Sequence, residues 1–190
     1  SPSLRIIERG DPIVVGHGLM GALNCRAGWM VASADELQPA IRDYIDKLVA
    51  PYFSAAIAWY ETLGIGVTGG EMFDAAMRHV GDPFFGIGLN PGHLIHLDEW
   101  LHSPIRKNSS MKLASGMALQ CDIIPATGTD YFTSNIEDGV ALADAETRAA
   151  LQRDYPETWS RFVKRRAFMT DVLGIRLKPQ VLTFSYVPAS

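Results

Sequence analysis

The densest run of groups able to do chemistry is Gly92-His93-Leu94-Ile95-His96-Leu97-Asp98-Glu99. Two histidines three apart invite a metal, because the neutral imidazole is the commonest metal ligand in proteins. On an extended strand, however, positions i and i+3 face opposite sides. His93 and His96 therefore share an ion only where the backbone bends or turns helical. A single functional histidine, His93, is the simpler reading, as a general acid or base. The bland alternative is a structural imidazole beside a glycine turn. The second signal is a pair of acids inside apolar strands: Asp122 in Leu119-Gln120-Cys121-Asp122-Ile123-Ile124, and Glu137 in Ser134-Asn135-Ile136-Glu137-Asp138-Gly139-Val140. A carboxylate on a buried strand face is costly unless it is paired, protonated or bound to a cation. If the two strands are antiparallel neighbours, the carboxylates stand across from each other, and like charges so placed are destabilising. A metal, a ligand amine or a shared proton must then hold them. A solvent-facing side chain removes the difficulty, and pattern alone does not choose.

The other reactive types read more simply. Cys25 and Cys121 are expected as buried small hydrophobes; only Arg26, beside Cys25, lies where it would lower a thiol pKa. His17 and His102 lie in polar or glycine-rich surroundings and are expected exposed. His79 falls near a helix C-terminus, where a cation is mildly favoured. Lys164-Arg165-Arg166 is expected to be the solvated face of a final helix.

The elements that must position these groups follow from periodicity and turn chemistry. Gly10-Asp11-Pro12 reads as a turn between extended runs at Arg5–Ile7 and Ile13–Val15. The glycine-rich stretch from His17 to Gly28 suits strands with a tight turn, and no Lys-Ser/Thr follows to make it a phosphate loop. Ile41, Tyr44, Ile45, Leu48 and Val49 repeat at helical spacing. Pro51 kinks or restarts that helix, and the stripe runs on through Tyr52, Ala55, Ala56, Trp59 and Leu63. Thr68-Gly69-Gly70-Glu71 is a capping box opening a second helix to Val80. Ile87 to Leu97 alternates, Met117 to Ile124 and Ile136 to Leu142 read as strands, and a helix from Pro156 to Leu173 precedes a last strand, Val181–Tyr186. Strands, two helices, strands, one helix and a strand suggest α+β rather than a doubly wound sheet.

Composition bounds the rest. A chain of 190 residues, 47% hydrophobic and 20% charged, fits one domain over residues 1–190. Seventeen Lys+Arg against 21 Asp+Glu, a formal charge of −4, leaves no electrostatic footprint for nucleic acid. Two cysteines are too few for a disulfide framework or a structural zinc site. No apolar run reaches the roughly 20 residues that cross a bilayer, and no signal peptide opens the chain. The expectation is a soluble cytoplasmic domain without nucleic-acid or membrane partners.

The order of motifs resembles a known family. Gly10-Asp11 before an apolar strand, the glycine turn, two helices, Gly92-His93, Gly116-Met117 ahead of Asp122, and Asn135-Ile136-Glu137-Asp138 are similar to the pita-bread superfamily of methionine aminopeptidase, Xaa-Pro aminopeptidase, prolidase and creatinase. The likeness spans roughly Gly10 to Leu142, and Leu173-Gly174-Ile175 with Pro179-Gln180-Val181-Leu182 and Ser185 resembles the tail of Xaa-Pro-peptidase-like members. It implies an α+β fold with a curved antiparallel sheet packed by helices. It also implies a homodimer, and a C-terminal domain of a longer precursor that lacks its N-terminal domain and first helices.

Carried over by residue, His93 matches the family's Gly-His histidine, a metal ligand in the metallopeptidases and an acid/base in the metal-free creatinase. Asp122 stands where the family has a glutamate followed by proline, here Ile123, and Glu137 matches the glutamate of Ile-Glu-Asp. Two further aspartates of the metallopeptidases would fall near Gly16 and within Asn24–Ala27, yet no aspartate lies between Asp11 and Asp35. A standard dinuclear centre cannot then be assembled. The resemblance implies a hydrolase of a small amide or amidine, or of a short peptide. His93 would be its acid/base, with Asp122, Glu137 and His96 holding substrate and no cofactor expected. The alternatives are a catalytically inactive binding or assembly module, and a divalent metal on His93, Asp122 and Glu137.

Overall fold

The computed structural model describes residues 4–18, 24–95 and 103–185. Strands β1 (Pro12–His17) and β2 (Asn24–Trp29) form an antiparallel pair flanking the glycine-rich stretch. Arg5–Ile7, expected as extended, forms no strand. Short 3-10 turns and a π turn at Ile45–Val49 lead into α1 (Ala50–Thr62), with Pro51 in its first turn. The backbone stays helical at Tyr44, Val49 and Ala50, so the proline does not interrupt the run but follows its π turn. Helix α2 (Gly69–Val80) begins at the expected box: Glu71 N donates to Thr68 Oγ1 at 3.2 Å, and Thr68 N donates to a Glu71 carboxylate oxygen at 2.7 Å.

Strands β3 (His93–Leu94), β4 (Ala118–Cys121) and β5 (Asn135–Leu142) follow. All are antiparallel, and the sheet order is β1-β2-β5-β4-β3, with β6 (Val181–Thr183) pairing β5. β5 is the hinge of the sheet: its first half pairs β2, and its second half pairs β4 on one side and β6 on the other. Helices α1 and α2 bury Tyr52, Trp59, Met72 and Val80 against Leu119, Val140 and Leu142, forming the main core. Two helices, α3 (Ala145–Asp154) and α4 (Pro156–Ala167), stand where one was expected. α3 buries no residue, so it leaves no apolar stripe in the sequence; its only local mark is Asp144, which accepts from Thr147 N at 2.8 Å. Among the described residues no helix is long and apolar enough to cross a membrane.

Candidate active site

The chain is bent sharply to present His93. Gly92 has φ +119°, and a Cβ there would lie 2.6 Å from the Gln120 carbonyl oxygen and 3.2 Å from the Trp59 ring. Only glycine allows that approach. Trp59 Nε1 donates to Pro91 O at 2.6 Å and Ser103 Oγ to Gly92 O at 2.7 Å, so the turn is tied to both α1 and the segment after the glycine. His93 then pairs with Gln120 across β3 and β4.

The two acids are set by β5. Cys121 pairs with Asp138, and carrying that antiparallel register one step further sets Asp122 opposite Glu137, as the sequence suggested. Tyr52, from α1, accepts from Ile136 N at 2.6 Å and donates to Ile136 O, fixing the residue before Glu137. Asn135 Nδ2 donates to Ile123 O at 3.3 Å and fixes the residue after Asp122. Both carboxylates are buried, at 3% and 4% exposure.

These three side chains converge. One donor atom each from His93, Asp122 and Glu137 lies within 4.8 Å of the other two. His93 Nε2 stands 3.6 Å from Asp122 Oδ2. The other ring nitrogen, Nδ1, is 2.9 Å from Leu94 O, and a carbonyl only accepts, so Nδ1 carries the proton. Nε2 therefore faces a carboxylate with either a lone pair or a second proton. A lone pair against a carboxylate is repulsive, so a proton or a metal ion must stand between them. Asp122 Oδ1 is buried without a hydrogen-bond partner among the described residues, another oxygen that a cation would satisfy. His93 and Asp122 border a cavity of about 90 Å³ with Leu89, Asn90 and Ser103. That is room for only a few waters or one reacting group, at roughly 30 Å³ per water.

Gly16 pairs with Cys25, and Cys25 pairs with Glu137, so the three stand in line across β1, β2 and β5. Residues directly opposite share a sheet face, and neither Gly16 nor Cys25 brings an oxygen ligand to the face of Glu137. The Cys25 thiol is pushed up to about 11, first by burial and then by the Glu137 and Asp122 carboxylates. Cys121, fully buried, is raised further by the same kind of desolvation. Neither is a thiolate nucleophile, in line with the sequence reading. His17 and His79 are exposed and distant in role; His96 and His102 lie outside the described residues.

One reading needs correcting. In the basic run only Lys164 is a solvated residue. Arg165 Nη2 reaches Asp138 Oδ2 at 3.1 Å, and Arg26 Nη2 reaches Asp138 Oδ1 at 2.8 Å. Ser185 Oγ adds a contact to Asp138 Oδ1 at 2.7 Å. Arg166 donates to the carbonyls of Leu177, Lys178 and Val181. The helical face bearing Arg165 and Arg166 is turned inward because α4 lies on the sheet behind Glu137, and the guanidinium groups join α4 to β5 and to the approach to β6. The signal that could have revealed this was Asp138 itself, an acid in an otherwise apolar strand that must be paired when buried.

No protein-family model and no curated protein matches the sequence. Solved structures do. The Xaa-Pro dipeptidase from Bacillus anthracis superposes with a TM-score of 0.56 at 21% identity, over 76% of this chain and 40% of that one. The prolidase from Thermococcus sibiricus gives 0.56 at 21%, over 76% and 38%. Methionine aminopeptidase from Rickettsia prowazekii gives 0.51 at 15%, over 75% and 64%. The chain spans about two fifths of the length of the two dipeptidase-type proteins. With its antiparallel sheet, its paired helices and the Gly-His turn facing two strand carboxylates, the chain has the pita-bread fold of these peptidases and aminopeptidases.

Proposed function

We propose that this domain is a hydrolase of short peptides or small amides whose reacting centre holds a single divalent cation on His93, Asp122 and Glu137. The observation that carries the reading is the convergence of three buried donors within 4.8 Å, one nitrogen and two carboxylate oxygens. That set suits borderline and hard divalent ions such as Zn²⁺ or Mn²⁺. The Nδ1–H to Leu94 O bond supports it too, since metal-binding histidines usually donate their other ring N–H to a carbonyl or carboxylate. A divalent cation there would act as a Lewis acid toward a substrate carbonyl oxygen. His93 is held by Gly92 with Nε2 toward the reacting group. Asp122 and Glu137 concentrate negative charge where a cation or a substrate ammonium binds. The small cavity admits the scissile group and leaves the rest of the substrate outside. Gly16 and Cys25 exclude the second ion of a dinuclear site.

A metal-independent acid/base role for His93 is the second reading, supported by the 3.6 Å approach to Asp122, which suits an imidazolium paired with a carboxylate. Incubating the purified chain with a library of short peptides and amides, with chelator and then with one equivalent of Zn²⁺ or Mn²⁺, separates the two. Turnover is expected only with the ion. Equal turnover in chelator would replace the first reading by the second, and no cleavage under either condition would overturn both.

A further inference from the structure

We propose that a cavity between α4 and β6, separate in its lining from the His93 cavity, is a second ligand site built for a small carboxylate with an apolar body. The cavity measures about 290 Å³ and shares no lining residue with the His93 cavity. It is close in size to the smaller ligand pockets, which start at roughly 300 Å³. Trp159, Phe162 and Leu182 give it apolar walls, and Arg148, Arg166 and Thr183 are its polar members.

The charges in it are unbalanced. Arg148 donates to Ala143 O at 2.7 Å, and Arg166 is held by three backbone carbonyls. Carbonyl oxygens satisfy N–H groups without cancelling the charge, and neither arginine forms an ion pair among the described residues. A guanidinium carries five donors, so each keeps N–H groups beyond these bonds. The two are close enough to act on each other: Arg166 is held below the usual guanidinium range by burial and then by the Arg148 charge. Asp144 feels Arg148, but it caps α3 and does not line the cavity.

A carboxylate would answer this imbalance, accepting from the two guanidinium groups. One negative charge fits better than a phosphate dianion, because the walls are mostly apolar and each further charge must be desolvated. The apolar body would lie on Trp159 and Phe162. Two sources share this chemistry: a free organic acid and the C-terminal carboxylate of a peptide ending in an apolar residue.

Calorimetric titration of the full chain with 3-phenylpropionate, its neutral amide, and N-acetylglycyl-phenylalanine tests the site. At least one carboxylate is expected to bind and the amide to bind at least about tenfold more weakly, the loss of a charge-assisted hydrogen bond. Arg148→Met, on the outer helix, is expected to weaken the acid by a similar factor. Binding of the acetylated dipeptide at least as tight as the acid identifies a peptide terminus; binding of the acid alone identifies an organic acid. Equal affinity for acid and amide, undiminished binding to Arg148→Met, or no binding of either carboxylate would overturn the proposal.

Discussion

Replacing His93 with alanine is expected to lower turnover of a cleaved peptide or amide by about 100- to 10,000-fold, the range a positioned acid-base or polarising group contributes. The loss should appear in kcat and kcat/KM together, because the ring acts at the reacting centre rather than on the outlying parts of the substrate. His93→Gln should fare no better, since its amide keeps bulk without an imidazole lone pair. Stability should also fall, by about 1–3 kcal/mol, because the ring is buried, donates to Leu94 O and faces the buried Asp122 carboxylate. The Gly92 turn that presents it is held separately, by Trp59 and Ser103. Steady-state kinetics beside thermal denaturation distinguishes the two effects. A variant that keeps more than half of the parent's turnover would remove His93 from the centre.

Asp138→Ala is expected to produce the largest loss of stability from a single side chain, about 3–5 kcal/mol, the cost of breaking a buried charge pair. Asp138 faces away from Glu137 on β5 and holds both Arg26 of β2 and Arg165 of α4. The side chains are 20%, 4% and 11% exposed for Arg26, Asp138 and Arg165, so water screens them poorly. Removing the carboxylate takes from both guanidinium groups the buried counter-charge they share. Replacing all three together, Arg26→Met with Asp138→Leu and Arg165→Met, should recover most of the loss, because an apolar cluster needs no desolvated charge. Urea denaturation measures both. A loss below about 1 kcal/mol, the value of an exposed pair, would mean that the cluster does not clamp the sheet.

The parts of the fold legible in the sequence are those written in local chemistry. The capping box at Thr68 and Glu71 and the stripe from Tyr52 to Leu63 each depend on residues within a turn or two, and each stands where expected. Asp122 and Glu137 were legible as a pair because an acid in an apolar strand needs an explanation. The frame of β1 and β2 was less so. The glycine-rich run offers no alternation to fix it, and only the register sets Gly16 opposite Cys25 and Cys25 opposite Glu137. Helix α3 was invisible because it packs no apolar face. Arg165 looked solvated because a charged run carries no local sign of a buried partner 27 residues away in β5, and Arg166 because its carbonyl partners lie beyond the end of the helix. The approach of His93 to Asp122 is likewise tertiary, a product of β3 pairing with β4.

The divalent-cation stoichiometry of the chain tests the single-ion centre most directly. After chelator treatment and dialysis, calorimetric titration with Zn²⁺ and with Mn²⁺ is expected to give one equivalent. That equivalent should be lost in Glu137→Gln and in Asp122→Asn but kept in Cys25→Ser. No binding, two equivalents, or one equivalent that survives both carboxylate replacements would contradict a single ion held by His93, Asp122 and Glu137.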